Sequence, residues 1–391
     1  MGTVTVLRAD RVITPDRELS PGWVAVEDGK ISDCGEGGGP AGGESIDLAG
    51  LTLVPGFVDL HVHGGGGFSF DTGKVEDVDG FRRWVPGTGV TSFLGTVIGP
   101  SIEGGRRSVE ALASAVEVGG GAELAGINLE GPFLSPQMPG AIPPSWITAP
   151  DVGTFEALHT AGGGSLRLMT VAPEVAGASE IIAAAQARGM TISLGHSAAS
   201  YDEALKAFSD GARHVTHAFN GMNQFHHRAP GIVGAALDSA GVTIEVVADG
   251  VHLHPATVSM LVRAFGTDRV ALITDAVPLA GGSGGSLRLG SRVATLEDGG
   301  VTFPDGTIAG SAATMDVVVR NVVEWDACDL AGAVRMASTV AARVAAAGDR
   351  KGRIERGYDA DLVALDSDLR VASTWVGGEA TYEVKKRYRK P

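Results

Sequence analysis

Between residues 53 and 276 the chain repeats one pattern eight times: a short apolar run, then a stretch of helical periodicity. The runs lie at 53–60, 90–97, 124–129, 166–171, 190–194, 214–216, 242–247 and 270–274. They are continuously apolar rather than alternating, as in strands covered on both faces of a parallel sheet. Helix candidates fall between them at 179–188, 201–210 and 255–265, the last opened by Pro255. Eight strand–helix units close a barrel, so the expected fold is α/β, a (β/α)8 TIM barrel. A chain of 391 residues with 44% apolar content can bury one such core and a small accessory domain, but not three domains.

The flanking segments read differently. Residues 3–7 alternate, and 24–27 lead through Asp28-Gly29 into Lys30-Ile31, a hairpin signal. Residues 35–43 form a glycine-rich loop, while 361–365 and 371–376 are strand-like. Strands at both ends of a barrel most simply pair into one small β domain, expected at 1–52 with 355–391. The barrel then spans 53–354, with a β insertion near 281–310 and a helical pattern over 314–346. Five of the six residues at 385–390 are basic, which suggests a solvated tail. The 58 glycines follow no repeat.

The reactive side chains gather at the carboxyl ends of the apolar runs, where barrels of this kind build their sites. His61 and His63 close the first run, Glu130 the third, His196 the fifth and His217 the sixth; His252 lies just past the seventh and Asp275 closes the eighth. Imidazole and carboxylate together suit zinc or another first-row divalent ion, Fe2+, Mn2+ or Co2+ among them. Glu130, His196 and His217 would give three ligands and leave an open position for water, activated by the metal near neutral pH. Asp275 could exchange protons with that water, and His252 could bond a carbonyl oxygen as charge develops. His61 and His63 are two apart in a strand and point the same way, so they could hold a second ion bridged by Glu130, or face substrate empty. Each has a structural alternative: a capping role for Glu130 or Asp275, packed barrel histidines at His196 and His217, a surface loop for His252 with His254. His159 and His214 fit no strand end and are taken as structural.

A net charge of 31 − 46 = −15 disfavours nucleic acid and anionic membranes as partners. No apolar run reaches the length of a membrane span. With two cysteines, Cys34 and Cys328, and no evident signal peptide, a cytoplasmic location is expected.

Taken together, P-G-F-V-D-L-H-V-H-G (55–64), L-E-G-P-F (129–133), L-G-H-S (194–197), T-H-A-F-N-G-M (216–222), H-H-R-A-P-G (226–231), A-D-G-V-H (248–252), I-T-D-A (273–276) and A-G-S (309–311) resemble the N-acetylglucosamine-6-phosphate deacetylases of the amidohydrolase superfamily. The resemblance covers nearly the whole chain. It implies a barrel with a β-sandwich made from both termini, a homodimer, and hydrolysis of the sugar's 2-acetamido group. By it, Glu130, His196 and His217 bind the principal metal, Asp275 is the general acid/base and His252 contacts substrate. Asn220, Gly221 and Ala141 would also meet the phosphorylated sugar, and Arg228, with His227 nearby, would reach into the neighbouring subunit's site to hold the phosphate. Taken alone, Arg228 is equally a surface arginine. Two positions depart from the pattern: Ile142 stands where a histidine is often found, and Gly221 where alanine is common. The galactosamine epimer therefore stays open as substrate. A cyclic-amide hydrolase would place a lysine on strand four, and L-R-L-M-T-V-A-P has none. An adenosine-deaminase-like enzyme would leave L-E-G-P-F and H-H-R unexplained, and an inert metal-bound scaffold would have no need of Asp275.

Overall fold

A computed structural model describes residues 4–40, 43–99, 101–116 and 118–384 of the chain. The basic segment 385–390, expected as a solvated tail, lies outside the described residues.

Eight parallel strands, Phe57–Val62, Val90–Val97, Glu123–Glu130, Leu166–Val171, Thr191–Leu194, His214–Val215, Thr243–Val247 and Val270–Ile273, are hydrogen-bonded in chain order. The ring closes where Val62 bridges Ala276 and the Asp275 N–H donates to the His61 carbonyl at 2.9 Å. Nearly every strand residue is buried, which accounts for the unbroken apolar runs. The helices pack outside. Tyr201–Asp210 starts at a capping box between Ser200 and Glu203, and Pro255–Phe265 at its proline.

A second sheet holds strands from both ends of the chain. Its order is Glu379–Glu383, Val371–Val376, Leu362–Leu365, Glu44–Pro55, Thr5–Ile13, Gly22–Glu27 and Lys30–Glu36, with Glu18–Leu19 pairing Thr5–Ile13. It has its own core around Leu7, Val24, Leu53 and Trp375. Four short strands, Ser286–Leu289, Arg292–Glu297, Gly300–Thr302 and Ile308–Ser311, form an antiparallel meander that leaves the barrel after the eighth strand and returns where Ser311 bridges Ala276.

Two expectations need correction. The run at 53–60 is two strands: Thr52 to Pro55 pairs with Leu362–Leu365, whereas Phe57 begins the barrel opposite Val90. Gly56 makes the break. Its N–H donates to the Asp361 carbonyl at 2.9 Å, and a Cβ there would overlap Thr91. The helical stretch at 314–346 is also discontinuous. Met315–Glu324 ends before Asp326, whose φ is +55°, and a new helix starts at Leu330 with Asp329 accepting from the Gly332 N–H. That helix widens into a π-helical segment at Arg335–Val340. Among the described residues no helix is long and apolar enough to cross a membrane.

Candidate metal centre

Seven chemically active side chains meet over the carboxyl end of the barrel. Glu130 is the last residue of its strand, and His196, His217 and Asp275 each stand two residues beyond theirs. These last three have φ of +46°, +25° and +49°. A left-handed turn is uncommon for residues other than glycine, and its recurrence at three matching positions aims the side chains across the barrel mouth.

The Glu130 Oε1 atom lies 2.9 Å from His196 Nε2 and 3.0 Å from His217 Nε2, and the two imidazole nitrogens are 3.1 Å apart. The other ring nitrogens face main-chain carbonyls, His196 Nδ1 at 3.0 Å from Met138 and His217 Nδ1 at 3.1 Å from Asn220. A carbonyl only accepts, so each Nδ1 carries its proton and each Nε2 presents a lone pair. Two lone pairs and a carboxylate thus converge with no proton between them. The donor set fits a divalent cation.

Beside it, His61, His63 and Asp275 form a second buried group of possible ligands. His61 Nε2 has no hydrogen-bond partner; the nearest carboxylate oxygens are Glu130 Oε1 at 3.5 Å and Asp275 Oδ1 at 3.7 Å. His63 Nε2 lies 3.3 Å from both Glu130 Oε2 and Asp275 Oδ1. Glu130 therefore borders both groups. Burial opposes a charged His63, but hydrogen bonds to Asp275 and Glu130 outweigh it and raise its pKa to about 9. Burial likewise opposes ionisation of Glu130, yet His61, His196 and His217 around it favour its charged form and hold it well below the ordinary carboxylate range. The same concentrated negative field attracts protons or a metal cation to these nitrogens.

His252 stands over Asp275, its Nε2 3.3 Å from Oδ2, and its Nδ1 lies 2.7 Å from Asp249 Oδ2. Burial lowers the His252 pKa, but Asp249 and Asp275 together raise it to about 9. Asp275 is held far below its ordinary value because His252 and His63 overcome its burial.

His63, Glu130, His196, His217, His252 and Asp275 line a cleft of about 590 Å3 that also includes Asn220, Gly221, Ala141 and Ile142. Gly221 has φ +56°, and a Cβ there would stand 2.9 Å from His196 Nδ1, so this chain keeps glycine for a close approach to that histidine. One wall is the meander strand Ser286–Leu289, which carries Arg288 to the cleft. His227 and Arg228 stand outside it, on an exposed loop, with Arg228 Nη1 2.8 Å from His227 Nε2.

The family model described as the amidohydrolase family matches residues 52–388. This chain belongs to the amidohydrolase family. The amidohydrolase is similar to the N-acetylglucosamine-6-phosphate deacetylase of Bacillus subtilis, 35% identical over 96% of each chain. It is also similar to the N-acetylgalactosamine-6-phosphate deacetylase of Escherichia coli O157:H7, 33% identical over 96% of this chain and 98% of that one. Among solved structures, a mutant of the N-acetyl-D-glucosamine-6-phosphate deacetylase of Mycobacterium smegmatis, in complex with N-acetyl-D-glucosamine-6-phosphate, superposes with a TM-score of 0.92. It shares 35% identity, over 97% of this chain and 100% of that one.

Sequence reasoning missed three residues of this amidohydrolase site. Glu245, with no exposure, lies beneath His61 and His217, and His214, set aside as structural, bonds to it. The available signal was a single acid inside the otherwise apolar run V-T-I-E-V-V. Asp249, the third, belongs to the A-D-G-V-H segment quoted only for its histidine.

Proposed function

We propose that this amidohydrolase hydrolyses the 2-acetamido group of N-acetylglucosamine 6-phosphate to acetate and glucosamine 6-phosphate. The observation that carries the reading is the convergence of His196 Nε2, His217 Nε2 and Glu130 Oε1 on one point, with Asp275 and His252 beside it. Glu130, His196 and His217 hold the principal divalent ion, most simply Zn2+, and His61 and His63 are placed for a second. When bound, the metal supplies Lewis acidity and makes water acidic enough to ionise near neutral pH. Asp275, ionised by its histidine neighbours, takes the proton of the attacking water as that oxygen bonds to the amide carbon. It returns the proton to the sugar nitrogen as the C–N bond breaks. His252 donates to the carbonyl oxygen while charge collects there, its other nitrogen braced by Asp249. Asn220, Gly221 and Ala141 meet the sugar phosphate from the cleft walls.

Arg228 and His227 serve a neighbouring subunit in a homodimer. In support, both are exposed and outside their own cleft, next to Phe225, an apolar side chain 54% exposed. A guanidinium there would supply the local cation that a chain of net charge −15 needs for an anionic substrate. We assign residues 1–55 and 355–391 to the small β domain and 56–354 to the barrel, moving the expected boundary at 52 because residues 53–55 pair with the strand Leu362–Leu365, and take the cytoplasm as the location, where Cys34 and Cys328 remain thiols.

The galactosamine epimer is the second reading. It is favoured by the similarity to the E. coli enzyme named for it and by Ile142, buried at the cleft where the resemblance puts a histidine. Acetate release should be measured from both phosphorylated epimers and from unphosphorylated N-acetylglucosamine, before and after chelation. The expected result is chelator-sensitive release that favours the glucosamine phosphate. Preference for the epimer would select the second reading, and no release from metal-loaded protein would overturn both.

A further inference from the structure

Glu245 is a buried acid beneath the site, and the mechanism above gives it no task. It occupies the middle of barrel strand Thr243–Val247 and has no exposure. Its Oε2 accepts from His61 Nδ1 and from the His217 main-chain N–H, each at 3.0 Å. Its Oε1 lies 3.2 Å from His214 Nε2, and His214 Nδ1 lies 2.6 Å from Thr243 Oγ1. A carboxylate only accepts, so His214 carries a proton on Nε2, where it bonds Glu245. Every neighbour within reach of the carboxylate is then a donor, and the group is satisfied without water.

We propose that Glu245 is a positioning residue that sets His61 to hold a cation in the His61–His63–Asp275 group and ties that group to the Glu130–His196–His217 one. This rests on the metal-dependent reading of the site but not on the identity of its sugar. The physical reason lies in the tautomer of His61. An imidazole between two acceptors, Glu245 on one side and Glu130 on the other, has a free choice of where to carry one proton. Glu245 sits at hydrogen-bond distance from Nδ1, whereas Glu130 Oε1 is 3.5 Å from Nε2. In the neutral, cation-binding form the proton stays on Nδ1, and Nε2, buried and without a hydrogen-bond partner, directs its lone pair at two carboxylates. A cation completes that arrangement. Through the same Oε2 atom Glu245 holds the His217 N–H, at a residue whose φ of +25° needs a fixed partner to persist. One carboxylate oxygen thus steadies a ligand from each group.

The test titrates Zn2+ or Co2+ into chelator-stripped full-length protein, with stoichiometry from elemental analysis and affinity from a competing chromophoric chelator. Glu245→Leu and Glu245→Ala remove the acceptor, and whichever folds, judged by melting of the metal-free form, carries the measurement. The expected result is a 10- to 100-fold loss of affinity for one ion, the range found for outer-shell partners of metal ligands. The same substitution in a His61→Ala background should cost nothing further at the His61–His63–Asp275 group, because its effect there passes through His61, while a loss at the principal ion persists through the His217 N–H. Glu245→Gln, which keeps an oxygen for His61 Nδ1 while His214 can switch tautomer, should recover most of the loss. Wild-type affinity in the Leu or Ala variant would overturn the assignment, as would losses that multiply at the His61–His63–Asp275 group in the double variant. No substrate enters the measurement. The expected metal pattern in a protein that releases no acetate would therefore leave Glu245 in place and remove only the sugar.

Discussion

Asp275 shows how much a single side chain depends on its neighbours here. A carboxylate buried this deeply would ordinarily be driven towards its neutral form, yet His63 and His252 approach its two oxygens at 3.3 Å each and keep it ionised. Asp275→Asn preserves shape while removing the proton acceptor. Turnover should fall by about 100-fold or more, with the ion at Glu130, His196 and His217 retained, as kinetics and metal analysis on the same preparation would show. Turnover equal to wild type would take Asp275 out of the chemistry. His61 and His63 were legible at this scale because a period of two in a strand puts them on one side. Glu245 was not, since an acid within an apolar run has no sequence neighbour that reveals its partners: His61 is 184 residues away.

At the scale of elements, the barrel strands were legible as apolar runs and their ends as sites of reactive residues. The break in the first run was hidden, because buried strands of two different sheets have the same apolar composition. Only Pro55-Gly56 marked it. Gly56 lets the chain leave one sheet and enter the other while Thr91 passes against it, so Gly56→Ala forces a methyl into occupied space. We expect a loss of about 1 to 3 kcal/mol in denaturant unfolding, the ordinary cost of overpacking, with the site's metal affinity little changed. An Ala variant as stable as wild type would show that the two sheets can slide apart at this seam. The discontinuity at 325–329 was hidden for a related reason: Asp326 and Asp329 read equally well as helix surface until the Asp329 cap is seen.

The whole molecule is tied together away from the metal centre. Lys351, only 2% exposed, contacts Asp361 at 2.6 Å, Glu123 at 2.9 Å and Asp359 at 3.0 Å. Glu123 opens the third barrel strand and Asp361 leads into the terminal-sheet strand Leu362–Leu365, so one ammonium joins the two sheets. Lys351→Met leaves the buried Asp361 without its cation and should cost about 3 to 5 kcal/mol. The pH dependence has a definite sign. Burial opposes charge on Glu123 and Asp359, but their cations prevail and lower both, Asp359 to about 2. Their contribution is present above the unfolded value of about 4 and is lost as pH falls through the lowered ones. Burial also opposes charge on Lys351, yet Asp361 and Glu123 raise it. Its share is complete below about 10.4 and is lost as pH rises through the raised value. Asp361 works against the others, since burial raises its carboxyl despite Lys351. Denaturant midpoints of wild type and Lys351→Met should thus differ most between about pH 5 and 10 and draw together in acid. A difference that stayed constant down to pH 2 would assign the effect to packing of the lysine stem.

The sequence by itself determined the eight-unit barrel, the strand pairing of the two chain ends, and the residue types that gather at the strand ends. Those properties are written locally, in runs of burial and in a period of two. The tertiary structure alone decided where the first run divides, which histidine nitrogens are bare, that Glu130 borders both ligand groups, and that Glu245 lies beneath them. Each of these depends on the distance between atoms from different strands, and the ring closure that sets such distances leaves no trace within any one strand.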